Sequence, residues 1–127
     1  LVIDSGDEIY NEYLHNLCLS GQKGIGNAFM KWVHDNRWRL PDSDRVTISK
    51  NGDSYKEFPD HEGLVNFDIS DRKFVAVANA HPKKPPILQS TDCKWWGWKN
   101  ALEDVGITVC FLCPEYVKDK YKKKIGL

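Results

Sequence analysis

Carboxylates are the residues of this chain best placed to do chemistry. Asp4 follows the apolar run Leu1-Val2-Ile3, Asp92 follows Ile87-Leu88-Gln89-Ser90-Thr91, and Asp71 opens the stretch Arg72-Lys73-Phe74-Val75-Ala76-Val77-Ala78. Strand ends and helix starts converge at one edge of an open α/β sheet, the edge where ligands bind. Right-handed crossovers can bring all three acids to that edge. Carboxylates sharing a cleft repel one another unless a divalent cation neutralises them, and an all-oxygen donor set selects hard ions such as Mg2+ or Mn2+. Such a site points to metal-assisted phosphodiester hydrolysis, in which the ion holds the phosphate and stabilises charge on the leaving oxygen. Each acid alone also has a plainer reading. Asp4 and Asp92 suit helix caps and Asp71 suits a helix dipole, roles that stabilise by about 0.5–2 kcal/mol. Their joint placement is what favours chemistry.

The elements that must position these acids are legible from spacing. Ser70 suits a helix N-cap, with Asp71 in the first turn, and Phe74, Val75 and Ala78 recur behind it at helical intervals. Asp71 therefore leans toward the apolar side of its helix. Upstream, Leu1-Val2-Ile3 predicts a strand. Ile9, Tyr10, Tyr13, Leu14, Leu17 and Cys18 then predict a helix from Glu8 to Cys18, stopped by Ser20-Gly21. Ala28, Phe29, Trp32 and Val33 predict a second helix running toward Asn36, and Arg45 to Phe58, broken by Asn51-Gly52, predicts a hairpin or edge excursion. Downstream, Ile87-Leu88-Gln89-Ser90 predicts a strand and Lys94 to Leu102 a helix ended by Gly106. Ile107 to Leu112 predicts a buried parallel strand, and Pro114 opens a short last helix with a mobile tail of lysines.

Composition bounds the whole. At 127 residues, 41% hydrophobic and 12% aromatic, the chain suits one domain with a real core. Eighteen basic and eighteen acidic residues leave no net charge, so no global field draws the protein to nucleic acid or membrane. No apolar run approaches a membrane span and Leu1-Val2-Ile3 is too short for a signal-peptide core, so a soluble cytoplasmic protein without membrane contact is expected. Cys18 and Cys110 sit in apolar runs that suit buried thiols, and reduced cysteines are expected.

Taken in order, these segments resemble the PIN-domain ribonucleases, a family that includes the toxin halves of bacterial toxin–antitoxin pairs. Val2-Ile3-Asp4-Ser5-Gly6 is similar to the family's first strand and its catalytic aspartate. Asp71 to Ala78 is similar to the helix led by an acid, and Ile87 to Asp92 to the later strand ending in a Thr/Ser-Asp pair. Val105-Gly106-Ile107-Thr108-Val109 resembles the closing strand. The resemblance implies a single PIN-like α/β domain over residues 1–127, with a mostly parallel central sheet flanked by helices. It implies Asp4, Asp71 and Asp92 as catalytic acids that hold Mg2+ or Mn2+. Where many members carry a middle-helix Glu, this chain has the strand-like Arg45 to Phe58, so the remaining acid is Glu12, Asp68 or Glu57, in that order of preference. The expected substrate is single-stranded or looped RNA, with single-stranded DNA as the alternative polymer.

Substrate-holding residues are expected among Lys94, Trp96, Arg72 and Lys73, because aromatic faces stack unpaired bases and cations hold phosphates. Trp95 and Trp98, at helical spacing, are expected in the core. The toxin resemblance implies an antitoxin partner, and the family implies a homodimer. The rival expectation is a catalytically inactive PIN-like module that binds RNA or a protein.

Overall fold

Strand-like and helix-like segments do alternate along the chain. The computed structural model describes residues 1–16 and 25–126, and these form a mixed α/β fold with five helices and short strands among the described residues. The strands make three two-stranded sheets. Two units are distinguished, Leu1–Ile48 and Ser49–Leu127.

In the first unit, β1 (Ile3–Asp4) runs parallel to β2 (Arg45–Val46), with Asp4 beside Val46. Arg45-Val46 therefore belongs with the chain's first strand and not with the hairpin that follows it. Asp7, at a φ of 63°, turns the chain into α1 (Glu8–Asn16). The expected end of this helix at Ser20-Gly21, and the burial expected of Cys18, lie outside the described residues. In α2 (Ile25–Asn36) the buried face is Met30 and Val33, packed with Tyr10, whereas Phe29 and Trp32 are 39% and 49% exposed. Of the expected set of Ala28, Phe29, Trp32 and Val33, Val33 is buried as expected, whereas Ala28, Phe29 and Trp32 are exposed and Met30 joins Val33 on the inner face. Both sets obey helical spacing, and the partner at Tyr10 selects between them.

In the second unit, β3 (Lys50–Asn51) and β4 (Ser54–Tyr55) form an antiparallel hairpin through Gly52-Asp53. Gly52 has a φ of 62°, a conformation glycine adopts without steric cost. Next come α3 (Arg72–Ala80), β5 (Ile87–Gln89), α4 (Lys94–Asp104), β6 (Val109–Phe111) and α5 (Pro114–Ile125). Strands β5 and β6 are parallel, with Leu88 beside Cys110. Both of those side chains are exposed while their neighbours are half-buried, so β6 is covered on one face only and the Cys110 thiol is not in a core. An apolar run alone does not reveal that alternation. Cys93, Cys110 and Cys113 are free thiols.

The core of this unit gathers Leu64, Phe67, Val75, Ala78, Trp95, Leu102 and Ile107. Phe67 is its centre, with its ring centroid 5.0 Å from that of Trp95 and 4.4 Å from that of Trp98. Pro114 occupies the first turn of α5 and Gly126 caps its end in the left-handed region, so Lys118 to Lys124 stand on a regular helix and not on a tail. Helix α5 lies against α4 at Gly97, where an added Cβ would stand 2.6 Å from the Tyr121 hydroxyl and 2.8 Å from its ring. No described helix is long and apolar enough to cross a membrane.

Candidate metal centre

The sequence Phe67-Asp68-Ile69-Ser70-Asp71-Arg72 builds the first half of the site. Phe67 is anchored in the core, and the Arg72 guanidinium donates to the carbonyls of Val65 and Phe67 while covering the Phe58 ring. That clamp fixes the chain entering a 3₁₀ turn, Ile69–Asp71, closed by the Asp71 amide donating to the Asp68 carbonyl at 3.1 Å. Asp71, not Ser70, is the N-cap of α3, and its side chain makes no capping bond. The Asp71 carboxylate instead accepts the indole N–H of Trp95 at 3.4 Å. The carboxylate is therefore not a hydrogen-bonding cap of α3.

The second half is built by the junction of β5 and α4. Asp92 accepts the backbone N–H of Lys94 at 3.1 Å, which turns the chain into α4 and buries Trp95 one turn later. Asp68, Asp71 and Asp92 are all half-buried, and each offers an oxygen within 4.8 Å of the others. Like charges at that separation repel by roughly 3 kcal/mol per pair at an effective dielectric near 20. Lys94 answers part of this charge, its ammonium donating to Asp68. The Lys94 pKa is raised, first by that hydrogen bond and then by the fields of Asp68, Asp92 and Asp71. Three oxygen donors in this arrangement fit a hard divalent cation.

Of the acids singled out in the sequence, the structure thus brings together Asp71, Asp92 and Asp68, the last having ranked only second among the candidates for the remaining acid. Asp4 and Glu12 belong to the first unit. Asp4 is 1% exposed, and its two oxygens accept the backbone N–H groups of Glu8 and Ile9, each at 2.9 Å. It closes the first turn of α1 from the end of β1. Asp4→Ala is expected to destabilise the protein by about 2–3 kcal/mol, read from urea unfolding, because two N–H donors lose their acceptor. Asp4→Asn, which keeps one acceptor, should cost less. Glu12 lies half-buried on α1, and Glu57 accepts the backbone N–H of Ser49 beside the β3–β4 hairpin.

The substrate-holding candidates divide. Lys94 reaches the cluster, whereas the Arg72 guanidinium is occupied by carbonyls. Trp96 is half-buried and packs edge-on against Phe111, with the Lys99 ammonium 4.8 Å over its ring, and Lys73 lies half-buried on α3. Trp95 and Trp98 do pack in the core as expected. Sequence reasoning missed the role of Trp95 as a donor to Asp71. Its only signal is an indole one turn after Asp92 on a helix that must pack against α3.

Two cavities each have one of the three acids in their walls. One, of about 640 Å³, is lined by Thr91, Asp92, Cys93, Lys120, Lys123 and Lys124. The other, of about 610 Å³, includes Phe67, Asp68, Arg72 and Lys94 in its wall. Compared with protein-family models, curated proteins and solved structures, the chain matches none of them.

Proposed function

We propose that this protein is a divalent-metal-dependent endoribonuclease of the PIN-like kind, cutting single-stranded or looped RNA. The observation that carries the reading is the convergence of Asp68, Asp71 and Asp92, with Asp71 at a helix start yet not serving as its side-chain cap. Asp68, Asp71 and Asp92 would hold Mg2+ or Mn2+, which when bound neutralises their charge and polarises a phosphoryl oxygen. Trp95 orients Asp71 through its indole N–H, and the Arg72 clamp on Val65 and Phe67 holds Asp68 in place. Lys94, already at Asp68, can turn its ammonium to a substrate phosphate once the acids have another counter-charge. The finer fold reading, a PIN-like domain with a mostly parallel central sheet, is supported by two parallel strand pairs and by the helices that follow β1 and β5. An antitoxin-like protein partner belongs to the same reading.

One observation favours the rival, a non-cleaving module that binds RNA or protein: the Lys94 ammonium itself supplies a cation to the cluster. A single experiment separates the two. Labelled single-stranded RNA and DNA are incubated with the protein in Mn2+, Mg2+ or chelator. The nuclease reading expects cutting of RNA that needs the metal and stops in chelator. Folded protein that cuts neither polymer and takes up no Mn2+ in calorimetry would establish the rival.

A further inference from the structure

Lys120, Lys123 and Lys124 stand at i, i+3 and i+4 on α5, hence on one side of the helix, and all three line the cavity that also contains Asp92. Lysines in a last turn already suit the helix dipole, which accounts for Lys123 and Lys124 by position alone. Lys120, a turn earlier, donates to the Tyr116 hydroxyl at 3.4 Å across the helix surface, a solvent-exposed contact that a phosphate can displace. Neither contact accounts for all three sharing one wall with Thr91 and Cys93. The cavity's 640 Å³ is ample for a sugar-phosphate unit. The second cavity has Lys94 in its wall beside Asp68, while the Arg72 guanidinium there is held by the Val65 and Phe67 carbonyls. Lysines thus line both cavities that touch the acids, a placement suited to a strand with more than one phosphate held near them.

We infer that the α5 wall of Lys120, Lys123 and Lys124 is a phosphate-binding track that grips the backbone of single-stranded nucleic acid beside Asp92. What happens at the acids rests on the nuclease reading, whereas the grip does not. Lys122 points away from this wall, roughly half a turn around the helix from Lys120, and is the internal control.

The test is fluorescence anisotropy with single-stranded RNA and DNA of about ten nucleotides, in chelator, across a salt series. The full chain is compared with Lys120→Gln/Lys123→Gln/Lys124→Gln and with Lys122→Gln. All four lysines are exposed, so the variants keep the fold. Each phosphate contact on a single strand contributes about 0.7 to the slope of log affinity against log salt, so the triple variant is expected to lose about 2 from that slope. Its affinity in about 0.1 M salt should fall by roughly tenfold or more. Lys122→Gln should leave the slope nearly unchanged. Equal effects with RNA and DNA would support a backbone grip, and binding of one polymer alone would support it and identify the polymer.

An unchanged slope in the triple variant, an equal loss in Lys122→Gln, or no binding by the unaltered protein in about 50 mM salt would overturn the track. So would equally tight, equally lysine-dependent binding of polyglutamate, which would point to an acidic protein partner instead. Mn2+ calorimetry on the same triple variant keeps the two readings apart, because the metal centre should be intact whether or not the track exists.

Discussion

Asp71→Asn is expected to lower RNA cleavage at saturating Mn2+ by roughly 10²-fold or more, and to weaken Mn2+ binding by at least 10–100-fold, the loss typical even of residues that only orient ligands. The substitution is nearly isosteric, and its amide oxygen can still accept the Trp95 indole N–H. The packing around it is therefore kept. Removing one of three neighbouring negative charges also relieves repulsion, so the metal-free variant should be as stable as the unaltered protein or more so. That sign separates two roles. A carboxylate kept for the helix dipole would leave the variant less stable by about 0.3–1 kcal/mol and its cutting undiminished. One kept for a metal would do the reverse. Urea unfolding in chelator, measured beside cleavage, reads both.

Trp95→Ala is expected to cost about 3–5 kcal/mol of stability. Trp95 is 1% exposed, packs against Phe67 and is among the largest fully buried side chains. Against a total of about 5–15 kcal/mol for an ordinary domain, such a loss takes from about a fifth to all of the stability. Because an unfolded variant says nothing about the site, Trp95→Phe is the informative companion. It keeps an aromatic ring against Phe67 but removes the indole N–H that Asp71 accepts. The expected result is a loss of about 1–2 kcal/mol in urea, with Mn2+ affinity down by roughly tenfold. A variant destabilised by that amount with unaltered Mn2+ affinity would show that the indole packs without orienting the acid.

Elements whose signals are local were legible in the sequence. Pro114 at the start of α5, Gly106 after α4 and the Ile87 run before Asp92 each carry their cue in the residues themselves, and each stands where the cue put it. Elements that depend on a partner were not. The α2 stripe admitted two phases, and only Tyr10 decided for Met30 and Val33. Arg45-Val46 pairs with a strand some forty residues earlier, a choice that nothing near position 45 specifies. Cys110 lies in an apolar run yet on the uncovered face of β6.

The candidate site divides in the same way. Asp71 and Asp92 follow from helix and strand ends, but the convergence with Asp68 requires a 3₁₀ turn before α3. Ser70 reads as the cap there with Asp71 in the first turn, and the structure moves the cap one residue on, to Asp71.

Gly97 constrains how this sequence can drift. A glycine in mid-helix costs about 1 kcal/mol against alanine, so neutral change should favour its replacement. Tyr121 of α5, however, lies where the new methyl group would stand. Order of substitution then matters: residue 121 must become smaller before position 97 can acquire a side chain. The reverse order forces the tyrosine ring aside from its contact with α4. Positions 97 and 121 are therefore expected to vary as a pair, with small residues at 121 preceding any residue larger than glycine at 97.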